Sequence, residues 1–373
     1  MSNNKLIRLS KSSIGDEEKN AVLKVLNKEY LGMGEEVKIF EEKLSKFFNR
    51  EAVCVNTGTS ALQLALQASN IGFGDEVLVP SLTYIASYQA ISATGAKPIS
   101  CDIEYNTMLM DVDDAERKIS KYTKAIMPVH YTGGTGNLKK VYKLASNYDL
   151  RVIEDAAHAF GSTHENKLIG GFGDIACFSF DGIKNITSGE GGCITSNDKD
   201  VLNKIKDLRL LGVRKDTDKR YLNKRSWEFE VFDQGWRYHM SNIMAAIGIV
   251  QLKRFSSFSS KRQKLAKLYD LEFFNHKKIK INDRNYDKVV PHIYVVKILG
   301  LENRERLREG LSNIGIETGI HYYPNHFLKR FDSGQRLEIT ERAFEEILTL
   351  PLNTDMSEED IKFVCKELKN HLE

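Results

Sequence analysis

Lys184 lies in the stretch FSFDGIKNITSGEGGCI, residues 178–194, between a short apolar run and a group of glycines. A solvated lysine needs no such setting. A lysine that bonds a carbonyl covalently needs backbone close around it. Gly189, Gly191 and Gly192 would allow that approach, or a turn with positive φ. The alternative is a surface lysine in a loop, in a chain with 54 lysines and arginines.

Three other groups could do chemistry beside it. In NTGTSALQLAL, residues 56–66, Gly58 permits a tight turn, and Thr59 and Ser60 open a helix whose free N–H groups favour an anion. A plain helix cap explains the same residues. In RVIEDAAHAFGS, residues 151–162, Asp155 ends a predicted buried strand and His158 follows three residues later. A carboxylate there could hold a cationic nitrogen, or simply cap a helix. Tyr84, just past EVLVP, could cover a planar ring or fill a core. Together these residues supply an anion cradle, an aromatic plate, a carboxylate and a lysine. Pyridoxal 5′-phosphate needs that set: an anchored phosphate, a protonated ring nitrogen and a held aldehyde.

The elements that must position them alternate in type. EVLVP (76–80), KPISCD (97–102), KAIMPV (124–129) and RVIED (151–155) predict buried strands. Helical patterns at 60–68, 85–93 and 138–147 lie between them. Such alternation predicts an α/β fold with a mostly parallel sheet and helices on both faces, with ligands beyond the carboxyl ends of the strands. DIACFSF and GCITS form a close pair of strands around Lys184. A helical stretch at 241–272 leads into a second unit, with strands at 292–298 and 317–323 and helices near 304–313, 340–348 and 358–371. The expected division is a large domain at 1–250, which includes a helix at 16–27, and a small C-terminal α/β domain at 251–373.

Composition narrows the class. With 373 residues, 41% hydrophobic and 28% charged, the chain is an ordinary globular protein large enough for two domains. A net charge of +3 with scattered lysines gives no footprint for nucleic acid. No apolar run approaches the length of a membrane span, and MSNNKLIRLSKSS has no apolar signal core. The five cysteines are far apart, with no CxxC pair, so neither zinc nor a disulfide framework is expected. The expectation is a cytoplasmic enzyme with no metal.

The residues, taken in order, resemble the DegT/DnrJ/EryC1/StrS sugar aminotransferases. The resemblance runs from IRLSKSSIGDEE through YLGMGEEVKIFEEKL, NTGTSALQLAL, IEDAAHAFGS, FSFDGIKNITSGEGG and AAIGIVQL to GIETGIHYYPNHF and LTLPLN. It implies a fold type I transferase with a seven-stranded, mostly parallel sheet, and pyridoxal 5′-phosphate as cofactor. It makes Lys184 the lysine that holds the cofactor's aldehyde, Asp155 the partner of the ring nitrogen and His158 the neighbour of the phenolic oxygen. Gly58, Thr59 and Ser179 match phosphate contacts, Ser60 a fourth, and Tyr84 the stacking ring. The chain departs from the family in one segment. Where many members read GYNYRM, this chain has GWRYHM, so Arg237 replaces the asparagine that reaches the neighbouring subunit's phosphate. Arg237 then serves either that phosphate or a substrate diphosphate, or is a surface arginine.

The implied partners are L-glutamate as amino donor, a nucleotide-linked 4-keto-6-deoxyhexose as acceptor, and a second copy that completes the site. The wording is most similar to the branch that aminates C4 for surface polysaccharides such as O-antigen. The first expectation is dTDP-4-amino-4,6-dideoxy-D-glucose, with GDP-perosamine and UDP-linked C4 products as alternatives, then C3 amination or a non-transaminating protein. Three other classes fit less well. A Rossmann dehydrogenase needs a GxGxxG after the first strand. A related dehydratase would lack the lysine. A cofactor-sensing regulator would need an added basic DNA-binding module.

Overall fold

Alternate residues of the central strands feed two different cores, and that alternation explains the architecture. The computed structural model describes residues 6–372, so the ends of the two expected domains lie outside the described residues. Helices α1 (Asp16–Asn27) and α2 (Glu35–Phe48) precede β1 (Ala52–Val55), α3 (Gly58–Ala68), β2 (Glu76–Pro80), α4 (Ile85–Ala93) and β3 (Lys97–Cys101). Then come α5 (Val112–Arg117), β4 (Thr123–Ile126), α6 (Leu138–Tyr148), β5 (Arg151–Asp155) and a small hairpin, β6 (Thr163–His164) with β7 (Lys167–Leu168). β8 (Ile175–Ser179), β9 (Gly192–Ser196), α7 (Lys199–Leu208) and α8 (Asp216–Tyr221) complete this part.

The large sheet has the order β1-β9-β8-β5-β4-β2-β3. Only β9 runs against the others, pairing antiparallel with β1 and β8. Val53, Val55, Val77, Val79 and Ile153 face one core with α3, α4 and α7. Ala52, Cys54, Leu78, Val152 and Phe178 face the other with α2 and α6. Strands covered on both faces read as apolar runs, which is why the VLVP of β2 was legible; β5 is marked by its β-branched pair Val152 and Ile153. In α2 the apolar residues Val37, Phe40, Leu44 and Phe48 recur at helical spacing and are all buried. Asn49, in the left-handed region at φ 51°, ends that helix.

Helix α9 (Asn242–Phe273) continues through residue 250 and joins two cores. Its first half, with Ala245 and Phe255, packs in the large unit; Leu265, Ala266, Tyr269 and Phe273 pack in a second. That second unit is an antiparallel sheet of β10 (Ile279–Ile281), β11 (Tyr294–Ile298) and β12 (Ile347–Leu350). It is completed by α10 (Arg304–Asn313), α11 (Glu338–Glu346) and α12 (Glu358–Asn370). α1 lies against α9.

Two sequence readings in this unit need correction. Residues 317–323 form no strand; Gly319 makes one isolated bridge, to Thr349. The aromatic and β-branched composition reads as strand, yet the segment's polar groups go elsewhere. The His321 carbonyl accepts the Tyr131 hydroxyl and His321 Nδ1 meets Thr349 Oγ1 at 2.9 Å. The helix expected at 340–348 ends at Glu346, because the apolar run Ile347–Leu350 pairs with β11 instead. β4 also stops at Ile126, short of the expected 129, just before Pro128. Among the described residues, no helix is long and apolar enough to cross a membrane.

Candidate active site

The carboxyl ends of β1, β5 and β8 open on one cavity of about 500 Å³. Its lining includes Gly58, Thr59, Tyr84, Asp155, His158, Ser179 and Lys184. Seven residues separated by up to 126 positions in the chain therefore meet at one place (58 to 184).

The turn after β1 fixes the first wall. Thr57 caps α3, its Oγ1 accepting from the Ser60 amide at 3.0 Å. The first amides of the helix, at Gly58 and Thr59, have no partner within the helix. A Cβ on Gly58 would stand 2.7 Å from Ser179 Cβ, so only glycine brings these amides so close to the end of β8. Ser60 was expected to line this wall too, but its hydroxyl points to the Thr57 carbonyl and Asn56 Oδ1, 2.8 Å from each, and can donate to one of them at a time. It braces the turn from within and does not line the cavity.

Asp155 closes β5 and is buried. No helix follows it, so the helix-cap reading of its carboxylate falls away. Oδ2 accepts from Ser87 Oγ at 2.7 Å and Oδ1 from the Ala157 amide at 3.2 Å, which fixes the carboxylate in place. His158 Nε2 meets the Tyr322 hydroxyl at 3.0 Å, while its buried Nδ1 has no partner. Burial, then the charge of Lys184, pushes this imidazole well below its usual pKa. It is neutral at pH 7.

Lys184 Nζ stands 3.4 Å from His292 Nε2. The glycines near it have distinct reasons. Gly189 turns at φ +81°, and a Cβ on Gly192 would lie 2.6 Å from the Thr57 carbonyl oxygen. The residue is half-buried, but protein crowds its amine, and that burial lowers its pKa to about 8; Asp155 and Asp181 pull the other way. At pH 7 about one amine in ten is then neutral and nucleophilic. We expect the cofactor-free chain to capture pyridoxal 5′-phosphate faster as pH rises, levelling above about 8. Absorbance kinetics with borohydride trapping would check this; a rate still rising steeply at pH 10 would show an unperturbed lysine.

Tyr84 caps the N-terminus of α4 at the mouth of the cavity, 58% exposed, its ring 5.6 Å from that of Tyr322. Arg237 is elsewhere. It is exposed and borders a separate depression of about 100 Å³ with Asp216, Arg220 and His239. Within one chain it does not meet the other eight residues.

Several pocket residues escaped sequence reasoning. Asp181 and Glu190 in the lining, and Ser87, which is outside the lining but donates to Asp155, sit near residues that were singled out, yet nothing in their spacing marks them. His292, His321 and Tyr322 come from the second unit, the last two inside the stretch mistaken for a strand. The pocket fits the expected cofactor in three respects. It has a cradle at Gly58 that a side chain would fill, an unpartnered Nδ1 on His158 and a partly neutral lysine opposite a fixed carboxylate.

Comparison with known proteins points to one family. The model of the DegT/DnrJ/EryC1/StrS aminotransferase family matches residues 12–369. GDP-perosamine synthase of Escherichia coli O157:H7 is 36% identical over 370 residues, covering 98% of each chain. The spore coat polysaccharide biosynthesis protein SpsC of Bacillus subtilis is 33% identical over 369 residues, covering 96% of this chain and 95% of its own. The Streptococcus pneumoniae protein Spr1654, described as a sugar aminotransferase and solved in its PLP form, superposes with a TM-score of 0.91. It is 28% identical, with 99% of both chains covered.

Proposed function

The chain belongs to the DegT/DnrJ/EryC1/StrS aminotransferase family, and from that premise we propose that it moves the amino group of L-glutamate to C4 of a nucleotide-linked 4-keto-6-deoxyhexose. Membership makes it a sugar aminotransferase that uses pyridoxal 5′-phosphate. The convergence of Gly58, Thr59, Tyr84, Asp155, His158, Ser179 and Lys184 on one cavity carries the reading to individual residues. A dTDP-linked hexose is the first reading. The 36% identity to GDP-perosamine synthase favours a GDP-linked hexose as the second. A product destined for a surface polysaccharide suits either.

When bound, the cofactor supplies an aldehyde that condenses with amines and a ring that accepts electron density. The chain's own residues do the rest. The amides of Gly58 and Thr59, with Ser179, bind the phosphate at the start of α3. Asp155, held by Ser87 and the Ala157 amide, keeps a proton on the ring nitrogen. His158, steadied by Tyr322, orients the phenolic oxygen. Tyr84 covers the ring. Lys184 Nζ takes the proton from Cα of glutamate and, in the second half-reaction, delivers one to C4 of the sugar. An activity screen with L-glutamate against dTDP-, UDP- and GDP-4-keto-6-deoxyhexoses, reading 2-oxoglutarate release, tests this. Release with none of the three would overturn the C4 assignment.

We further propose that the enzyme works as a homodimer in which Arg237 reaches an anion in the partner's site. Two observations support it. Among the described residues Lys184 is the only lysine or arginine in the lining, while substrates and cofactor bring phosphates and carboxylates. Beside Arg237, the segment 222–232 exposes Leu222, Trp227, Phe229 and Phe232, with Trp227 at 86%; apolar patches of this kind mark association surfaces. Arg237→Ala should weaken cofactor or nucleotide binding, since guanidinium binds two phosphate oxygens at once. Mixing it with Lys184→Ala puts both lesions in one site and leaves the other intact, so activity should partly return. A fully active monomer, or no recovery despite proven subunit exchange, would rule out the shared site.

A further inference from the structure

His292 stands two residues before β11, and a buried arginine fixes its backbone. Arg262, on α9 and 3% exposed, donates from Nη1 to the carbonyls of His292 at 3.0 Å, Leu352 at 3.3 Å and Pro291 at 3.5 Å. An arginine that donates to three carbonyls from two segments ties both to the long helix. Burial lowers its pKa to about 10, so it is charged at neutral pH. The imidazole above it is 3% exposed. Its Nε2 stands 3.4 Å from Lys184 Nζ, and its Nδ1 is buried without a partner.

A residue that only filled space here would leave both ring nitrogens unused, and an apolar ring would fill it better. One nitrogen is used, and its partner is the reactive amine. We propose that His292, aimed by Arg262, is a positioning residue: its Nε2 accepts a hydrogen bond from the Lys184 amine and holds that amine where it bonds a carbonyl and moves a proton. The inference rests on the reading of Lys184 as the cofactor-holding lysine.

The charges around the pair suit this role. His292 faces Lys184, His158, Arg262 and His321; burial first, then the charges of Lys184 and Arg262, keeps it neutral and therefore able to accept. Lys184 faces Asp155 at the end of β5 and Asp181 on its own loop, besides His292. An acceptor beside an amine favours the ammonium form, so removing it must lower the amine's pKa.

The test is competitive acetylation of the full-length, cofactor-stripped chain with acetic anhydride, Lys184 being read by peptide mass across a pH series. The unaltered chain should show a midpoint at about 8. His292→Phe should lower it by about one pH unit and slow cofactor capture, as expected when one hydrogen bond to the charged form is lost. His292→Asn, which keeps an acceptor, should restore most of both. Arg262 holds the carbonyl and not the ring, so the backbone clamp survives either change. If the phenylalanine variant does not fold, His292→Ala replaces it in the same comparison. An unmoved midpoint in the variant lacking an acceptor, or an asparagine variant that behaves like it, overturns the proposal. Borohydride trapping of pyridoxal 5′-phosphate on the unaltered chain separates the two readings. Attachment away from Lys184 overturns both, whereas attachment at Lys184 with an unmoved midpoint overturns only the role of His292.

Discussion

Lys184→Ala should abolish transamination and leave the protein folded. Proton transfer by a positioned side chain contributes about 10²- to 10⁴-fold, and this variant also loses the covalent hold on the cofactor. Among the described residues no other lysine lines the cavity to take its place. Stability should not suffer. The side chain lies in the loop after β8; among the described residues it is in no salt bridge, and its one hydrogen-bond contact is His292 Nε2 at 3.4 Å. Burial works against its charge, so removing it should leave the thermal midpoint unchanged or slightly raised. Release of 2-oxoglutarate and a circular-dichroism melt are the measurements. Activity within about tenfold of the unaltered enzyme would be far above the effect of losing such a base, and would remove Lys184 from the centre of the mechanism.

How far a sequence reveals such a site depends on where each residue's signal comes from. Asp155 closes a buried strand and Gly58 opens a helix; local pattern and turn chemistry mark both, whereas Ser179, at the end of β8, was marked only by the family resemblance. α4 matched its predicted bounds of 85–93 for the same local reason. His292, His321 and Tyr322 carry no such mark. They reach the cavity because the second unit folds against the first, and no spacing in the chain encodes that contact. The direction of a small side chain is equally hidden. Ser60 lies one residue past Thr59, yet its hydroxyl turns back into the cap. Ile347 and Leu348 looked helical because they continue the apolar pattern of α11; only the open edge of β11 makes them the start of a strand.

Asp155→Asn should keep the fold and much of the cofactor binding while losing most of the rate. The amide has the shape of the carboxylate, so its oxygen can still accept from the Ala157 amide, now at 3.2 Å. On the other side an NH₂ would face Ser87 Oγ, now 2.7 Å from Oδ2, and the hydroxyl can rotate to accept it. What is lost is charge. A carboxylate raises the pKa of an adjacent ring nitrogen by about 1–3 units. Without it the ring is largely unprotonated at neutral pH and accepts electrons poorly, so turnover should fall about 10²- to 10³-fold. The replacement also acts on Lys184, because Asp155 is the foremost of the charges that raise that amine's pKa. Its removal leaves burial less opposed, so the pH midpoint for amine reactivity in the cofactor-free chain should drop below about 8. These two effects have opposite consequences near neutral pH. The lysine becomes more often neutral and captures the cofactor at lower pH, yet catalysis is slower. A purely structural aspartate would produce neither. Its loss would lower the thermal midpoint, with rate and capture falling together. His158→Ala, which removes an orienting contact and no charge, should cost less than either. Near-normal turnover in Asp155→Asn, with an unmoved midpoint, would reduce Asp155 to a brace between β5 and α4.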